Sequence, residues 1–321
     1  MYNIFIGVCL TVMLIMDTCL CRQSENESVS MNESPFSEGS HSFSTFIISS
    51  RLPDYMKDVD DLTFRIPAYD KTSTLPTLII EPGFFSSTTR LDDLQNLYAS
   101  YGFLVIGVNN KSHFNLITTS LQPYRDALLQ TVRYVVDSQR DKRHDLYGLI
   151  DTAAIGISGH SMGGGGTILA CNAVSDPYSR YIKAAIAMNP FGKCAGESIR
   201  APILLIASEL DSLTNPFMPG VSTSPEDIYA SYLSIPANTA KCFALFKGMG
   251  HNGIIDRTPL FKTSGKISFY FPTMVSWFKV YLSNDTSYSC YIDMTEQEFA
   301  KIKGRFTNKG SIPAYTCTLR E

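Results

Sequence analysis

The sequence predicts an α/β protein with a mainly parallel, doubly wound sheet in a single domain. Short apolar runs alternate along the chain with longer segments whose apolar residues recur at helical spacing. An apolar run without polar alternation is typical of a strand buried on both faces, as in a sheet that helices cover on each side. The 321 residues are 44% hydrophobic and 18% charged, which is sufficient for one large core.

The predicted strands and helices follow one another from about residue 43 onward. Two first strands are predicted at residues 45–49 and 62–69. Buried strands are predicted at residues 77–80, 103–108, 153–157, 182–188, 203–207 and 242–246. Helices are predicted at residues 91–100, 123–137, 162–174 and 269–282. Strand and helix thus alternate, as expected for parallel strands joined by crossover helices.

The N-terminal residues resemble a secretory signal. The apolar run over residues 4–16 is shorter than the roughly 18–20 residues that a membrane span needs. We interpret residues 1–21 as a signal peptide, with an uncleaved anchor as the alternative because no Lys or Arg precedes the run. Residues 22–42 are polar and predict a flexible leader. The sequence therefore predicts a secreted, extracellular protein with no stable membrane span, folded over residues 43–321.

The net charge bears on possible partners, and the sequons bear on glycosylation. The net charge of -3 lacks the basic excess of nucleic-acid binders, so no nucleic-acid partner is expected. Four Asn-x-Ser/Thr sequons are candidate glycosylation sites in a secretory pathway. They begin at Asn26, Asn32, Asn110 and Asn284. We expect a monomer.

Five of the eight cysteines follow the signal segment. In a compartment where disulfides persist, an odd number leaves at least one thiol free. Cys290 and Cys317 are candidates to staple the C-terminal segment to the last helix, and Cys194 is a candidate partner of Cys242 if their strands are neighbours. Cys171 would then be a buried free thiol. The alternative is that several of them are simply small buried apolar residues.

A nucleophile elbow stands between a predicted strand and a predicted helix. Its sequence is Gly-His-Ser-Met-Gly-Gly-Gly-Gly over residues 159–166. The serine of such a turn, here Ser161, adopts a strained backbone conformation, so the flanking positions must lack crowding side chains. This strand, turn and helix predict the α/β-hydrolase fold with Ser161 as nucleophile. The N–H of Met162 opens the helix and is a candidate oxyanion donor.

A base and an acid are expected after the serine, in the chain order serine, acid, histidine. Of the five histidines only His251 follows Ser161, and it lies in a glycine-rich loop beyond the last predicted strand. Asp211 follows the strand over residues 203–207, at the edge where ligands bind in open α/β sheets. We assign His251 as base and Asp211 as the acid that orients it, with Glu209 as the alternative acid.

A second oxyanion donor is expected from the loop after the third strand. That loop reads Glu-Pro-Gly-Phe-Phe over residues 81–85, and the backbone N–H of Phe84 is the candidate. The alternative is that this loop is only a structural turn whose aromatic side chains fill apolar space.

Several segments together resemble the bacterial cutinases and polyester hydrolases, the group that includes polyethylene-terephthalate hydrolases. They are residues 81–85, 101–106, 159–166, 202–216 and 250–251, and the resemblance runs through about residues 60–285. The string over residues 159–166 is the most specific of them.

The resemblance implies an α/β-hydrolase with no large lid, whose shallow groove accepts acyl chains and polyester segments. It implies the same triad and oxyanion residues, and a C-terminal disulfide that Cys290 and Cys317 would supply. Where the family usually has a tryptophan, this chain has Phe191, which together with Phe84 is the expected substrate contact. A longer loop over residues 215–227 is expected to reshape the groove.

The sequence therefore predicts a secreted serine carboxylic-ester hydrolase that forms an acyl-enzyme and needs no metal or organic cofactor. Its expected substrate is an acyl ester, a lipid or a polyester. Within the enzyme class, the alternative is a lipase or a phospholipid esterase similar to the platelet-activating-factor acetylhydrolases. From another class, the alternative is a non-catalytic binding protein of the same fold, although such proteins typically lose a triad member.

Overall fold

The computed structural model describes residues 38–49, 52–111, 120–212, 223–253, 262–263, 266–267, 271–294 and 307–319. The predicted signal peptide and the sequons at Asn26 and Asn32 lie outside the described residues. The predicted leader is described from residue 38, where the N–H groups of Gly39 and His41 donate to the side chain and carbonyl of Ser100.

One nine-stranded sheet runs through the described ranges. In sheet order its strands are β1 (Phe43–Ile48), β2 (Val59–Pro67), β4 (Leu104–Asn110), β3 (Leu75–Glu81), β5 (Ile150–His160), β6 (Ile182–Met188), β7 (Ile203–Ser208), β8 (Lys241–Phe246) and β11 (Tyr315–Thr318). The strands from β4 to β8 are parallel, whereas β1, β2 and β11 pair antiparallel at the edges. Two short strands, β9 (Lys262–Thr263) and β10 (Lys266–Ile267), form a separate pair. The mostly parallel sheet confirms the predicted α/β class.

Helices cover both faces of the sheet. They are α1 (Asp92–Ser100), α2 (Gln122–Arg140), α3 (Met162–Asn172), α4 (Pro225–Ser234) and α5 (Phe271–Ser283). One apolar cluster joins α2, α3 and α4 to the face that carries Ile79, and a second joins α1 and α5 to the face that carries Leu78 and Ile80. None of the helices in the described ranges is long and apolar enough to cross a membrane.

The structure differs from the loop predicted over residues 215–227, because helix α4 begins within that segment. The helix begins at Pro225, a favourable first-turn residue, and the side chain of Ser224 accepts a hydrogen bond from the N–H of Asp227. Ile228 and Tyr232, four positions apart, are buried on one face of the helix. Residues 213–222 of the expected loop lie outside the described residues.

The disulfide pairing differs from the expectation. Cys317 is bonded to Cys242, because β11 pairs with β8 in a register that places these two residues opposite each other, with Cα atoms 4.1 Å apart. Cys290, the expected partner of Cys317, also takes part in a disulfide contact, and its bond to Cys317 stays a prediction. The expected bond between Cys194 and Cys242 is wrong, since the two residues belong to clusters on opposite faces of the sheet. Cys194 is a buried free thiol, and so is Cys171, as predicted.

The sequon residue Asn110 is enclosed in the folded chain. Its side chain is buried, and its amide nitrogen donates to Oε1 of Glu81 and to the carbonyl of Pro123, each at 2.9 Å. A nitrogen enclosed in this way has no room for a glycan. Asn284 is exposed and follows α5, so its glycosylation stays a prediction.

We expect peptide mapping without reduction to recover a linked pair of peptides that contain Cys242 and Cys317. Because the bond spans 75 residues of sequence, chain entropy predicts that its reduction lowers the free energy of unfolding by about 4 kcal/mol. Urea unfolding with and without reductant measures this loss. Cys194→Ser is the control and should keep the linked peptides, whereas a linkage between Cys290 and Cys317 would contradict the pairing.

Candidate active site

Four segments meet at the carboxyl edge of the parallel strands. Ser161 follows β5, Phe84 lies in the loop after β3, Asp211 follows β7, and His251 lies in the loop after β8. In the sheet, β3 is the neighbour of β5 and β7 is the neighbour of β8, and β6 lies between these two pairs. The predicted site residues are therefore carried by one edge of one sheet, the usual place for a ligand site in this class of fold.

Ser161 occupies a sharp turn between β5 and α3. Its φ of 58° and ψ of −120° lie in a region that non-glycine residues rarely adopt, at a cost of roughly 1–3 kcal/mol. Its N–H donates to the carbonyl of Met188, and its own carbonyl accepts from the N–H groups of Gly165 and Phe191. The backbone of the strained residue is thus held on both sides by main-chain hydrogen bonds.

The elbow has room only for glycine at the positions that approach the serine. A Cβ on Gly159 would lie 2.2 Å from the carbonyl oxygen of Gly163. A Cβ on Gly83 would lie 2.6 Å from Cβ of Ser161 and 3.1 Å from its Oγ. The loop after β3 is therefore in direct contact with the proposed nucleophile.

The two predicted oxyanion donors lie on segments that pack together. Met162 is the first residue of α3, where backbone N–H groups have no partner within the helix. Phe84 is half-buried and packs against the small apolar cluster of Tyr124, Met162 and Phe191. Phe85, the next residue, has a φ of 52°, so the chain turns directly after Phe84.

Asp211 and His251 form a hydrogen-bonded pair. Nδ1 of His251 lies 2.8 Å from Oδ2 of Asp211, whose side chain is completely buried. Oδ1 of Asp211 accepts a hydrogen bond from the hydroxyl of Thr223, which is also buried. With its Nδ1–H donated to the carboxylate, a neutral His251 keeps Nε2 as a proton acceptor. The sequence contained no signal for Thr223.

Glu209, the alternative acid, has a different partner. Its Oε2 accepts a hydrogen bond of 2.7 Å from the backbone N–H of Gly248. That contact fastens the start of the loop that carries His251, and the structure brings Asp211 rather than Glu209 to the imidazole.

Comparison with known proteins assigns the chain to a family. A sequence model described as PET hydrolase-like matches residues 63–309, which is most of the chain. The chain belongs to the PET hydrolase-like family. This membership confirms the resemblance that the sequence segments carry.

Individual relatives are similar at modest identity. Cutinase 2 from Thermobifida cellulosilytica is 28% identical over 224 residues, which cover 69% of this chain and 74% of the cutinase. Bis(hydroxyethyl) terephthalate hydrolase from Streptomyces coelicolor is 26% identical over 234 residues, which cover 72% of this chain and 64% of that protein. Such enzymes are carboxylic ester hydrolases, so the family belongs to that enzyme class.

In this PET hydrolase-like chain, the carbonyl of His251 is held by two buried side chains that sequence reasoning missed. Nε2 of His160 lies 2.9 Å from that oxygen, and the amide nitrogen of Asn189 donates to it at 2.8 Å. The rings of His160 and His251 lie 4.8 Å apart, centre to centre. Because His160 directly precedes Ser161, the loop of the proposed base is tied to the backbone of the proposed nucleophile.

His160 is neutral in the folded protein. Burial, followed by the neighbouring His251, lowers the pKa of its imidazole from 6.5 to about 3, although its bond to the carbonyl of His251 acts in the opposite direction. A neutral ring with a hydrogen on Nε2 is the form that can donate to that carbonyl.

We expect the stability of the wild type to fall more steeply with acidification than that of His160→Gln. The folded-state pKa of His160 is lowered, so its contribution is complete above pH 6.5 and is lost as the pH falls towards 3. Relative to the variant, which keeps an N–H donor but does not titrate, the wild type should lose about 1 kcal/mol per pH unit. Urea unfolding at pH 7, 6 and 5 measures this difference. The prediction would be contradicted if the two proteins differed in free energy of unfolding by the same amount at all three pH values.

The apolar residues at the site divide into buried and exposed ones. Phe191, the predicted substrate contact, is 3% exposed and packs with Met162, so it supports the oxyanion segment from within the core. Phe85 and Leu210 are 50% and 64% exposed and follow β3 and β7 at the same edge of the sheet. The accessible apolar surface of this edge is therefore supplied by residues other than Phe191.

Proposed function

We propose that the chain is a secreted serine carboxylic-ester hydrolase that uses Ser161, His251 and Asp211 and passes through an acyl-enzyme. The observation that carries the proposal is the bond between His251 and the buried carboxylate of Asp211, at the sheet edge that bears the elbow serine. Membership of the PET hydrolase-like family supports the same chemistry. The disulfide between Cys242 and Cys317 supports an extracellular location, because such bonds persist in oxidising compartments.

In the acylation step, Nε2 of His251 takes the proton of the Ser161 hydroxyl while Oγ bonds to the ester carbonyl carbon. The carbonyl oxygen becomes an anion, for which the N–H groups of Met162 and Phe84 are the proposed donors. Asp211 stabilises the imidazolium without taking its proton, and Thr223 holds the carboxylate. Collapse of the tetrahedral species breaks the bond to the alcohol, which leaves with the proton from His251.

Deacylation repeats these steps with water as the nucleophile. His251 takes a proton from water, the hydroxide oxygen bonds to the acyl carbon, and the bond to Ser161 Oγ breaks as His251 returns the proton to it. The products are a carboxylic acid and an alcohol. No other co-reactant is needed.

The proposed substrate is an ester with an apolar acyl or aromatic part. Exposed Phe85 and Leu210 offer apolar surface beside the serine loop, and the relatives are named as cutinases and a terephthalate-ester hydrolase. We further propose one catalytic domain over residues 43–321, supported by the single large sheet that the described elements share. The absence of a large lid and the monomeric state stay predictions.

We expect the wild type to hydrolyse p-nitrophenyl acetate and butyrate and Ser161→Ala to lose about a thousandfold or more in kcat, because the nucleophile is removed. Ser158→Ala is the matched control, since Ser158 is buried on β5, three residues before the nucleophile, and its hydroxyl has no partner among the described residues. It should keep its activity. Equal rates for the wild type and Ser161→Ala would contradict the proposal, and faster hydrolysis of long-chain esters would favour the lipase alternative.

We expect Asp211→Asn to lower kcat by about a thousandfold or more, because the amide no longer holds the required tautomer of His251. Glu209→Gln is the matched control two positions earlier, and its kcat should change by less than about threefold because that side chain holds only the loop. Spectrophotometric ester hydrolysis measures both. The reverse order of effects would transfer the acid role to Glu209.

A further inference from the structure

We propose that Glu81 and Asn110 form a positioning pair that fixes the oxyanion loop, defined as residues 82–85, against helix α3. The proposal rests on the proposed ester hydrolysis, because it assigns these two residues to the placement of one oxyanion donor. Neither of them contacts the substrate in this scheme. They act through the backbone of the loop.

The side chains of the pair join three elements. Glu81 is the last residue of β3 and is fully buried, and its Oε1 accepts a hydrogen bond from Nδ2 of Asn110, the last residue of β4. The same nitrogen donates to the carbonyl of Pro123 in the first turn of α2. Tyr124, the next residue of α2, packs against Gly166 of α3. The pair therefore links the start of the oxyanion loop to the helices that flank it.

The backbone of Glu81 lies directly against the first turn of α3. A Cβ on Gly163 would lie 2.4 Å from the carbonyl oxygen of Glu81 and 2.5 Å from that of Pro82. Met162 directly precedes Gly163, and Phe84 lies three residues after Glu81. A shift of Glu81 would thus change the separation of the two proposed oxyanion donors. Such donors act only when they lie about 2.7–3.1 Å from the developing oxyanion.

The surroundings of the Glu81 carboxyl group favour its neutral, protonated form. Its Oε2 is buried without a hydrogen-bond partner among the described residues. The groups that face it are Asn110 from β4, Tyr124 from α2 and Asp58 from the segment before β2, and none of these carries a positive charge. Burial, and to a lesser extent Asp58, raises the pKa of Glu81 well above its usual value, against the hydrogen bond from Asn110. The protonated form has no need of a counter-ion.

An apolar residue would fill this space without any buried polar atom. Cores usually consist of apolar side chains, and the buried carboxyl group beside the oxyanion loop, with its bond to an amide, is an exception. Such exceptions cluster at functional sites. The bond to Asn110 gives the end of β3 a directional contact that a side chain such as leucine cannot supply.

The first arm of the test separates positioning from stability by kinetics on p-nitrophenyl butyrate. Glu81→Leu should lower kcat about tenfold or more with KM within about twofold, because oxyanion donation acts in the transition state. Glu81→Gln has the shape of the neutral acid and should restore kcat to within about threefold. Thr77→Val, a buried polar change at the far end of β3, is the control and should leave both constants unchanged.

The second arm measures the proton on Glu81 by urea unfolding and needs no turnover. A folded-state pKa above the unfolded value of 4.5 gives a stability that is complete below pH 4.5 and declines as the pH rises. The unfolding constant of the wild type, divided by that of Glu81→Gln, should therefore increase as the pH rises above 4.5, by up to about tenfold per pH unit until the folded-state pKa is reached. This measurement can also be made on a variant that is less stable than the wild type.

Three outcomes would overturn the proposal. The first is an unchanged kcat in Glu81→Leu, and the second is a ratio of unfolding constants that does not vary with pH. The third is wild-type turnover that does not depend on Ser161, which would remove the proposed function and the positioning role together. In that case the unfolding arm would still report whether Glu81 is neutral, so the two failures are distinguishable.

Discussion

The close approach of three backbone segments at Ser161 is the constraint on which the rest of the site depends. The serine turns between β5 and α3 with a positive φ, and this turn exists only because Gly159, Gly163 and Gly83 have no side chains where the chains touch. Main-chain hydrogen bonds on both sides of the serine offset the strain. The fold thus places a hydroxyl, a helix N-terminus and the loop after β3 within one small volume, before any side chain of the proposed triad is considered.

The proposed base is fixed from two directions. Its ring is held by Asp211, which arrives from β7, and its backbone carbonyl is held by His160 and Asn189, which arrive from β5 and β6. The loop after β8 therefore takes its position from three neighbouring strands rather than from its own sequence. A glycine-flanked histidine in a surface loop acquires a defined place in this way, since all three holding side chains are buried.

Sequence reasoning located the elements that have a strong local signal and missed those defined by contacts across the fold. The elbow string and the chain order were sufficient to select Ser161 and His251, and the strand before Asp211 was a clear apolar run. Helix α4 was missed although Ser224, Pro225 and an acidic first turn are ordinary helix-start signals, because polar residues there resemble a loop. Strand β11 is four residues long, so its register with β8, and hence the pairing of Cys317, is set by tertiary contacts that no local pattern contains.

Asn110 shows how one residue can serve two incompatible purposes. Its Asn-Lys-Ser sequence is a substrate for the enzyme that attaches glycans in a eukaryotic secretory pathway, and that enzyme acts on chains that have not yet folded. In the folded chain the same amide nitrogen is enclosed between Glu81 and Pro123. A glycosylated amide nitrogen keeps one hydrogen, so it could not donate to both Glu81 and Pro123. We therefore expect a host that attaches a glycan at this sequon to yield a chain with a weaker link between β3, β4 and α2 than a host that does not.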